Sequence, residues 1–390
     1  MPNARPRARV VFLVALISFA AAAAAWIAGA SAAPSGTARY IVVLKDSVAS
    51  PGSVAHAQAG RHGGTVRHVY SHALKGYSAT LPTAAVEALS RDSRVAYIEL
   101  DGVVTASATQ TGATWGLDRI DQRSRPLSGT FTYTNTGSGV TAYIIDTGIR
   151  FSHAEFGGRA TSGFDAVDGG SADDCNGHGT HVAGTVGGAV YGVAKAVSLK
   201  AVRVLSCSGS GTTSGVIAGV DWVTGHHVAG APAVANMSLG GGASSALDTA
   251  VQNSINDGVS YAVAAGNGNR GGVAQNACNY SPARVGAAMT IGATTSSDAK
   301  ASWSNYGSCV DWFAPGVSIT SAWYTSDTAT NTISGTSMAT PHTAGVAAQY
   351  LQTNPGASPA TVRAALYDLT TKGIVTSSNT ANNHLLFTNL

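Results

Sequence analysis

Val140-Thr141-Ala142-Tyr143-Ile144-Ile145 is followed directly by Asp146-Thr147-Gly148. The first six residues are apolar except for Thr141, with no alternation of polar and apolar positions. An uninterrupted apolar run of this length marks a strand buried on both faces, as in a parallel sheet covered by helices on each side. The run ends on a carboxylate, and Gly148 permits a sharp turn after it. Asp146 is therefore either the start of an Asx-turn or a group that orients another side chain.

The same pattern recurs at Val197–Leu205, Ala233–Leu239 and Val259–Ala265. Helical stretches stand between and after these runs, at Thr213–His226, Ser244–Asp257 and Ser337–Gln352. The alternation predicts an α/β unit, a parallel sheet sandwiched by helices. Ligands of such sheets sit beyond the carboxyl ends of the strands, so the loops there are where chemistry is expected. Residues 38–101 read as a separate small unit in the order βαββαβ. Its strands are Arg39–Leu44, Val66–Tyr70, Tyr77–Leu81 and Arg94–Leu100, and its helices Val54–Arg61 and Pro82–Leu89, an α+β ferredoxin-like arrangement. Thr105–Thr114, rich in Ala, Ser and Thr, reads as an exposed linker. No internal repeat is present.

Charged residues make up 11% of the 390, against roughly 25% in an average protein. The net charge of +3 is unevenly placed: residues 1–107 carry +5 and residues 108–390 carry −2. The larger unit thus lacks the basic patch that nucleic-acid binding requires. Arg5, Arg7 and Arg9 precede an apolar run, Val10–Ala25, and Ala30-Ser31-Ala32 forms a small-x-small site, the pattern of an export signal cleaved after Ala32. An exported chain with four cysteines, Cys175, Cys207, Cys278 and Cys309, is expected to form two disulfides, and the residues leave three pairings open.

Three stretches carry the residue types of nucleophilic catalysis. Asp174-Cys175-Asn176-Gly177-His178-Gly179-Thr180-His181 opens a small-residue helix at His178. His178 and His181 fit a structural role, a metal cluster with Cys175, or a general base. A zinc protease of the H-E-x-x-H type places a glutamate between its histidines, whereas Gly179 and Thr180 stand there. Ala264-Ala265-Gly266-Asn267 ends a buried strand in an amide that can point its NH₂ at a developing anion. Ser334-Gly335-Thr336-Ser337-Met338-Ala339-Thr340-Pro341-His342 places a hydroxyl at a helix start, either as a cap or as a nucleophile. A serine attacks only when an imidazole takes its proton and a carboxylate holds that imidazole in the right tautomer. Here the chain order is Asp146, His178, Ser337.

The three motifs Asp146-Thr147-Gly148, His178-Gly179-Thr180-His181 and Gly335-Thr336-Ser337-Met338-Ala339 resemble the signatures of the subtilisin-family serine proteases. Trp115–Ile120, Asn236–Gly242 and Asn279–Arg284 extend the likeness to the proteinase K-like branch and its aqualysin-like secreted bacterial members. The resemblance covers nearly all of 108–390, and 38–101 resembles, less specifically, the family's inhibitory propeptide. It implies a signal peptide at 1–32, a propeptide at 33–107 and a catalytic domain at 108–390. Ser337 would be the nucleophile, His178 the general base and acid, Asp146 the orienting carboxylate and Asn267 the oxyanion donor. Gly209-Ser210-Gly211 and Ser238-Leu239-Gly240 resemble the two edges that bind an extended substrate, with Ala264-Ala265-Gly266 as a pocket wall. The implied pairings are Cys175–Cys207 and Cys278–Cys309.

The resemblance further implies structural calcium, held by Asp311 with the carbonyls of Gly286 and Ala288, and at a second site by Asp118, Asp121 and Gln122. The expected activity is endoproteolysis of broad specificity by a secreted monomer, silent until its propeptide is removed by self-cleavage near Ser107–Ala108. No organic cofactor, nucleic acid or membrane partner is expected after signal cleavage. An esterase using the same residues and an inactive binding scaffold are the competing readings. Two departures stand out: Gly268–Gln275 lengthens the loop after Asn267, and Gly129 replaces a ligand-type residue near the second calcium site. The chain ends at Leu390, just past the catalytic domain, without the extra C-terminal segment of some relatives.

Overall fold

The computed structural model describes residues 36–102 and 107–390, so the expected leader at 1–32 lies outside the described residues. The chain divides into two compact units between residues 104 and 105. The smaller comprises β1 (Thr37–Leu44), α1 (Pro51–Arg61), β2 (Thr65–Tyr70), β3 (Gly76–Pro82), α2 (Thr83–Ser90) and β4 (Val95–Leu100). Its antiparallel sheet has the order β2-β3-β1-β4, the expected arrangement. One face of that sheet, with Val42, Leu44, Tyr77, Ala79 and Leu81, buries itself on Ala55, Ala59, Ala85 and Leu89 of the two helices. The Tyr77 hydroxyl donates to Gln58 Oε1 at 3.0 Å, so the buried phenol is satisfied.

The larger unit is built on seven strands: β5 (Thr141–Asp146), β6 (Ala160–Asp165), β7 (Ser198–Arg203), β8 (Ala233–Met237), β9 (Ser260–Ala264), β10 (Met289–Thr294) and β11 (Trp312–Pro315). Their order is β11-β10-β9-β8-β5-β7-β6, and every neighbouring pair is parallel. Four of these strands were expected. β6, β10 and β11 were not, because glycine breaks the apolar runs of the first two and β11 is only four residues long. The helices are α3 (Trp115–Ile120), α4 (His178–Gly187), α5 (Thr213–His226), α6 (Ser245–Asp257), α7 (Thr336–Thr353) and α8 (Pro359–Leu369). The expected linker becomes ordered earlier than foreseen: Ala108–Thr111 pairs antiparallel with Thr130–Tyr133.

The period of two along β5 explains the layering. Ala142 and Ile144 enter one core with Val182, Val186, Met338 and Val346, on the α4 and α7 side. Tyr143 and Ile145 enter the other with Val216, Val220, Val251 and Ile255, under α5 and α6. Polar caps set the starts of the outer helices. Thr212 Oγ1 accepts from Gly215 N at 3.1 Å, and Ser244 Oγ accepts from Leu247 N at 3.3 Å. Among the described residues no helix is long and apolar enough to cross a membrane.

One buried ion pair ties α3 to the rest of the unit. Arg119, fully buried, donates Nε to Asp298 Oδ1 at 2.7 Å and Nη1 to the Gln122 carbonyl at 2.6 Å. Asp298 adopts φ 63°, a left-handed conformation rare for a residue with a Cβ. Removing Asp298 leaves an uncompensated guanidinium in the interior. Asp298→Ala is expected to cost about 3–5 kcal/mol of stability, read as a lower denaturation midpoint in guanidinium or faster loss of activity on heating.

Candidate active site

Asp146 ends β5, and fully buried it points at the start of α4. Its Oδ1 accepts from His178 Nδ1 at 2.7 Å and from Thr147 N at 2.8 Å. That contact fixes the imidazole tautomer: Nδ1 carries the hydrogen, and Nε2 is left to accept. Burial pushes the His178 pKa down, but the charge and hydrogen bond of Asp146 and the charge of Asp174 outweigh it, so the net shift is upward.

The sequence did not single out Asp174, yet it builds the head of α4. The N-cap, Gly177, has no side chain to cap the helix. Asp174 supplies the acceptor instead: Oδ2 takes Thr180 N at 2.9 Å and Thr180 Oγ1 at 2.6 Å, while Oδ1 takes Asn176 N and Gly177 N, each at 2.9 Å. The Thr147 hydroxyl donates to Asp174 Oδ1 at 2.9 Å and accepts from Gly179 N at 2.8 Å, which joins the end of β5 to the start of α4. Gly179 is required for that approach, since a Cβ there would stand 2.2 Å from the Gly148 carbonyl oxygen. His181 has a structural place: Nε2 donates to the Ile319 carbonyl at 3.0 Å, and burial lowers its pKa to about 4. Cys175 is taken by a disulfide, so no Cys–His metal cluster forms here.

Ser337 is the second residue of α7, where the helix has no carbonyl to offer its N–H. Pro341 explains the spacing of the motif. Its ring nitrogen cannot donate to the Ser337 carbonyl one turn back. The freed carbonyl accepts from Ser238 Oγ at 2.7 Å, and Ser238 Oγ accepts in turn from Asn236 Nδ2 at 2.9 Å. The Ser337 hydroxyl itself donates to the Ser238 carbonyl at 3.0 Å. Ser337 is thus bonded twice to the segment that follows β8.

Asn267 follows β9 and is oriented by α7. Its Oδ1 accepts from Thr336 N and from Thr336 Oγ1, each at 2.8 Å. A backbone N–H can only donate, so the carbonyl end of the amide faces Thr336 and the NH₂ end turns away from it. Gly266 N donates to Thr336 Oγ1 at 3.1 Å, closing the contact between the two elements.

Two cavities meet along Leu239–Gly242. One, of about 390 Å³, is lined by Thr147, His178, Gly209, Ser210, Gly211, Ser238, Leu239 and Gly240. The other, of about 660 Å³, is lined by Ala264, Ala265, Gly266, Asn267, Ser337 and the same Leu239 and Gly240. Each residue expected in the substrate segments therefore lines one cavity or both. The disulfides join Cys175 to Cys207 and Cys278 to Cys309. The first ties the loop before His178 to the loop before Gly209, where Asn176 Nδ2 also donates to the Cys207 carbonyl at 3.0 Å.

The residues expected to hold calcium behave differently at the two sites. Asp311 Oδ2 accepts from Thr290 N at 2.8 Å, and its Oδ1 is paired with Arg363. Both oxygens are engaged, and Asp311 lines a cavity with Arg363 and Asp368 that does not include Gly286 or Ala288. Asp118, Asp121 and Gln122 converge on the turn at 128–132. Asp118 accepts from Ser128 N at 3.0 Å and Gly129 N at 2.6 Å, Gln122 Oε1 from Ser128 N at 3.2 Å, and Asp121 Oδ2 from Thr132 N at 2.7 Å. Asp121 Oδ1 is buried without a partner, and burial raises the carboxyl pKa to about 6. An orphaned carboxylate oxygen beside a second carboxylate suits a hard cation. No group of three His, Cys, Asp or Glu residues is gathered for a metal among the described residues.

The sequence profile of the Subtilase family matches residues 137–386, and that of Peptidase inhibitor I9 matches residues 39–107. An extracellular serine proteinase of Thermus sp. (strain Rt41A) is 61% identical over 328 residues, 84% of this chain and 78% of that protein. Alkaline serine exoprotease A of Vibrio alginolyticus is 56% identical over 329 residues, 83% of this chain and 60% of that protein, so the chain spans less than two thirds of its length. A crystal structure of a cold-adapted subtilisin-like serine proteinase superposes with a TM-score of 0.68 at 57% identity, over 71% of this chain and 98% of that one. The chain belongs to the subtilase family of serine proteinases, hydrolases of peptide bonds, and carries an I9 inhibitor unit ahead of its protease domain.

Proposed function

We propose that the protein is a secreted serine endopeptidase of broad specificity, made as a precursor that processes itself. The observation that carries this reading is the 2.7 Å bond from His178 Nδ1 to Asp146, with the hydroxyl of Ser337 one strand-end away on the same rim of the sheet. In this reading the Ser337 hydroxyl leaves the Ser238 carbonyl and donates to His178 Nε2. The imidazole takes the proton as Oγ attacks the scissile carbonyl, then returns it to the leaving amine. The oxyanion forms at the N-terminus of α7, where the Ser337 N–H and the Asn267 NH₂ receive it. One such donor is worth about 10²–10³ in rate in proteases of this type. The substrate lies extended between Gly209–Gly211 and Ser238–Gly240, bound by its main chain, which accounts for broad specificity.

Residues 1–32 serve as the export signal and 33–107 as the propeptide, which inhibits the protease and templates its non-local sheet; cleavage falls near Ser107–Ala108. The protein works as a monomer outside the cell. Calcium is held best by Asp118, Asp121 and Gln122, where it would stabilise the fold by satisfying Asp121 Oδ1. Asp311 with the Gly286 and Ala288 carbonyls is the second candidate, and a cation there requires Arg363 to withdraw.

Ser337→Ala is expected to accumulate as an uncut precursor and to lose labelling by a fluorophosphonate, while the wild type labels at Ser337. Cleavage of short esters without cleavage of casein would favour the esterase reading, and an unlabelled wild type the binding scaffold.

The imidazole must be neutral to accept the proton, and its pKa lies above the ordinary 6.5. Activity on a chromogenic peptide is therefore expected to fall as pH drops, with an acid-limb midpoint above 6.5 in kcat/KM.

Calcium is expected to raise the thermal midpoint of the wild type by a few degrees, and Asp121→Asn to abolish most of that increment. An equal increment in both proteins would place the cation elsewhere.

A further inference from the structure

The loop Gly268–Gln275 is longer than the resemblance led us to expect, and its backbone is braced by two asparagines. Asn269 N donates to the Val273 carbonyl at 2.9 Å, and Asn269 Oδ1 accepts from Gly271 N at 2.9 Å and Val273 N at 3.1 Å. These bonds close a tight turn whose tip is Arg270-Gly271-Gly272. The base of the loop is clamped by Asn305, buried, whose Oδ1 accepts from Gly268 N at 3.0 Å and Gln275 N at 2.8 Å. Asn305 Nδ2 donates to the Ala265 carbonyl at 2.8 Å, so the loop is locked to the strand end that carries Asn267.

Arg270 lines the 660 Å³ cavity together with Asn267 and Ser337. The rest of that lining is Leu239, alanine, glycine, Tyr280 and neutral polar groups, with no carboxylate. Arg270 makes no ion pair among the described residues. Arg270 is exposed, a guanidinium on a braced turn at a cavity whose lining offers no counter-charge. Its flat fork matches a carboxylate two hydrogen bonds at a time.

We propose that Arg270 is a specificity-determining residue, which gives this cavity a preference for acidic substrate side chains at the position just before the scissile bond. This rests on the protease reading above and on the resemblance that makes Ala264-Ala265-Gly266 a pocket wall, since that wall lines this cavity beside Ser337. The apolar wall Ala264-Ala265-Gly266 takes the methylenes of a glutamate, and Arg270 takes its carboxylate at the rim. Glutamate is favoured over aspartate because its longer stem spans the apolar wall.

The test uses the mature enzyme and end-capped peptides that differ only in Glu or Gln at that position. The pair has the same shape, and capping removes terminal carboxylates. The Glu/Gln ratio of kcat/KM is compared within each protein, so a general loss of activity cancels. In the wild type the ratio is expected to exceed that of Arg270→Ala by about fivefold at low ionic strength, the scale of a well-oriented exposed ion pair. The difference should fade at roughly 1 M salt, where charges are screened beyond about 3 Å. Arg270→Glu should invert the preference, so that a Lys peptide gains over Gln. Equal Glu/Gln ratios in the wild type and Arg270→Ala, with Arg270→Glu showing no gain for Lys, would overturn the proposal. Failure of the protease reading looks different: no peptide is cut by any of the three proteins.

Discussion

Parallel neighbours in a sheet end on the same side, about 4.8 Å apart, and the rest of this molecule depends on that constraint. β9, β8 and β5 are consecutive in the sheet. Their ends deliver Asn267, Ser238 and Asp146 to one rim. The connection leaving β5 leads to β6 on one side and the connection leaving its neighbour β8 leads to β9 on the other, so the crevice between β5 and β8 is a switch point at which the connections diverge. α4 and α7 start above the same rim and bring His178 and Ser337 to it by their first residues.

What makes this rim a site rather than a frayed edge is the pairing of most of its polar groups, with Asp146 Oδ2 and Asn236 Oδ1 left buried without a partner. Three short side chains do most of that. Asp174 receives five hydrogens at the head of α4, Thr336 holds Asn267 by two bonds and Gly266 by a third, and Asn305 uses three bonds to brace the loop beyond it. Buried polar groups are costly when unpaired and rigid when fully paired. Pro341 works in the same economy from the opposite side: it removes one helical bond, and the carbonyl it frees becomes the anchor for Ser238.

The two disulfides fit this picture as tethers of the rim rather than of the core. Each joins residues about thirty apart, 32 for Cys175–Cys207 and 31 for Cys278–Cys309. Closing loops of this length stabilises a fold by roughly 3–4 kcal/mol on the chain-entropy view. The first fixes the approach to His178 and the second the far side of the loop that follows Asn267. The contrast between the two candidate calcium sites follows from the same accounting. A carboxylate already satisfied by an arginine, as at Asp311, has little to gain from a cation, whereas the buried Asp121 Oδ1 has no other partner.

Much of this was legible in the chain. The apolar run before Asp146 gave away a doubly buried strand because both faces of β5 are covered, and the small unit's βαββαβ order followed from short strand-like runs separated by helix-forming stretches. The motifs around Asp146, His178, Asn267 and Ser337 were legible because close backbone approach, and the chemistry proposed for them, demand particular residue types within a few positions. β6, β10 and β11 were hidden because short strands interrupted by glycine owe their state to their neighbours in the sheet, not to local propensity. Asp174, Thr336 and Asn305 were hidden for a related reason. An aspartate, a threonine or an asparagine in a loop suits a turn equally well, and only the fold decides which distant N–H groups it meets. The sequence by itself determined which groups were on hand for the chemistry; tertiary structure alone decided how they are held, because the bonds that orient them join residues up to 99 positions apart.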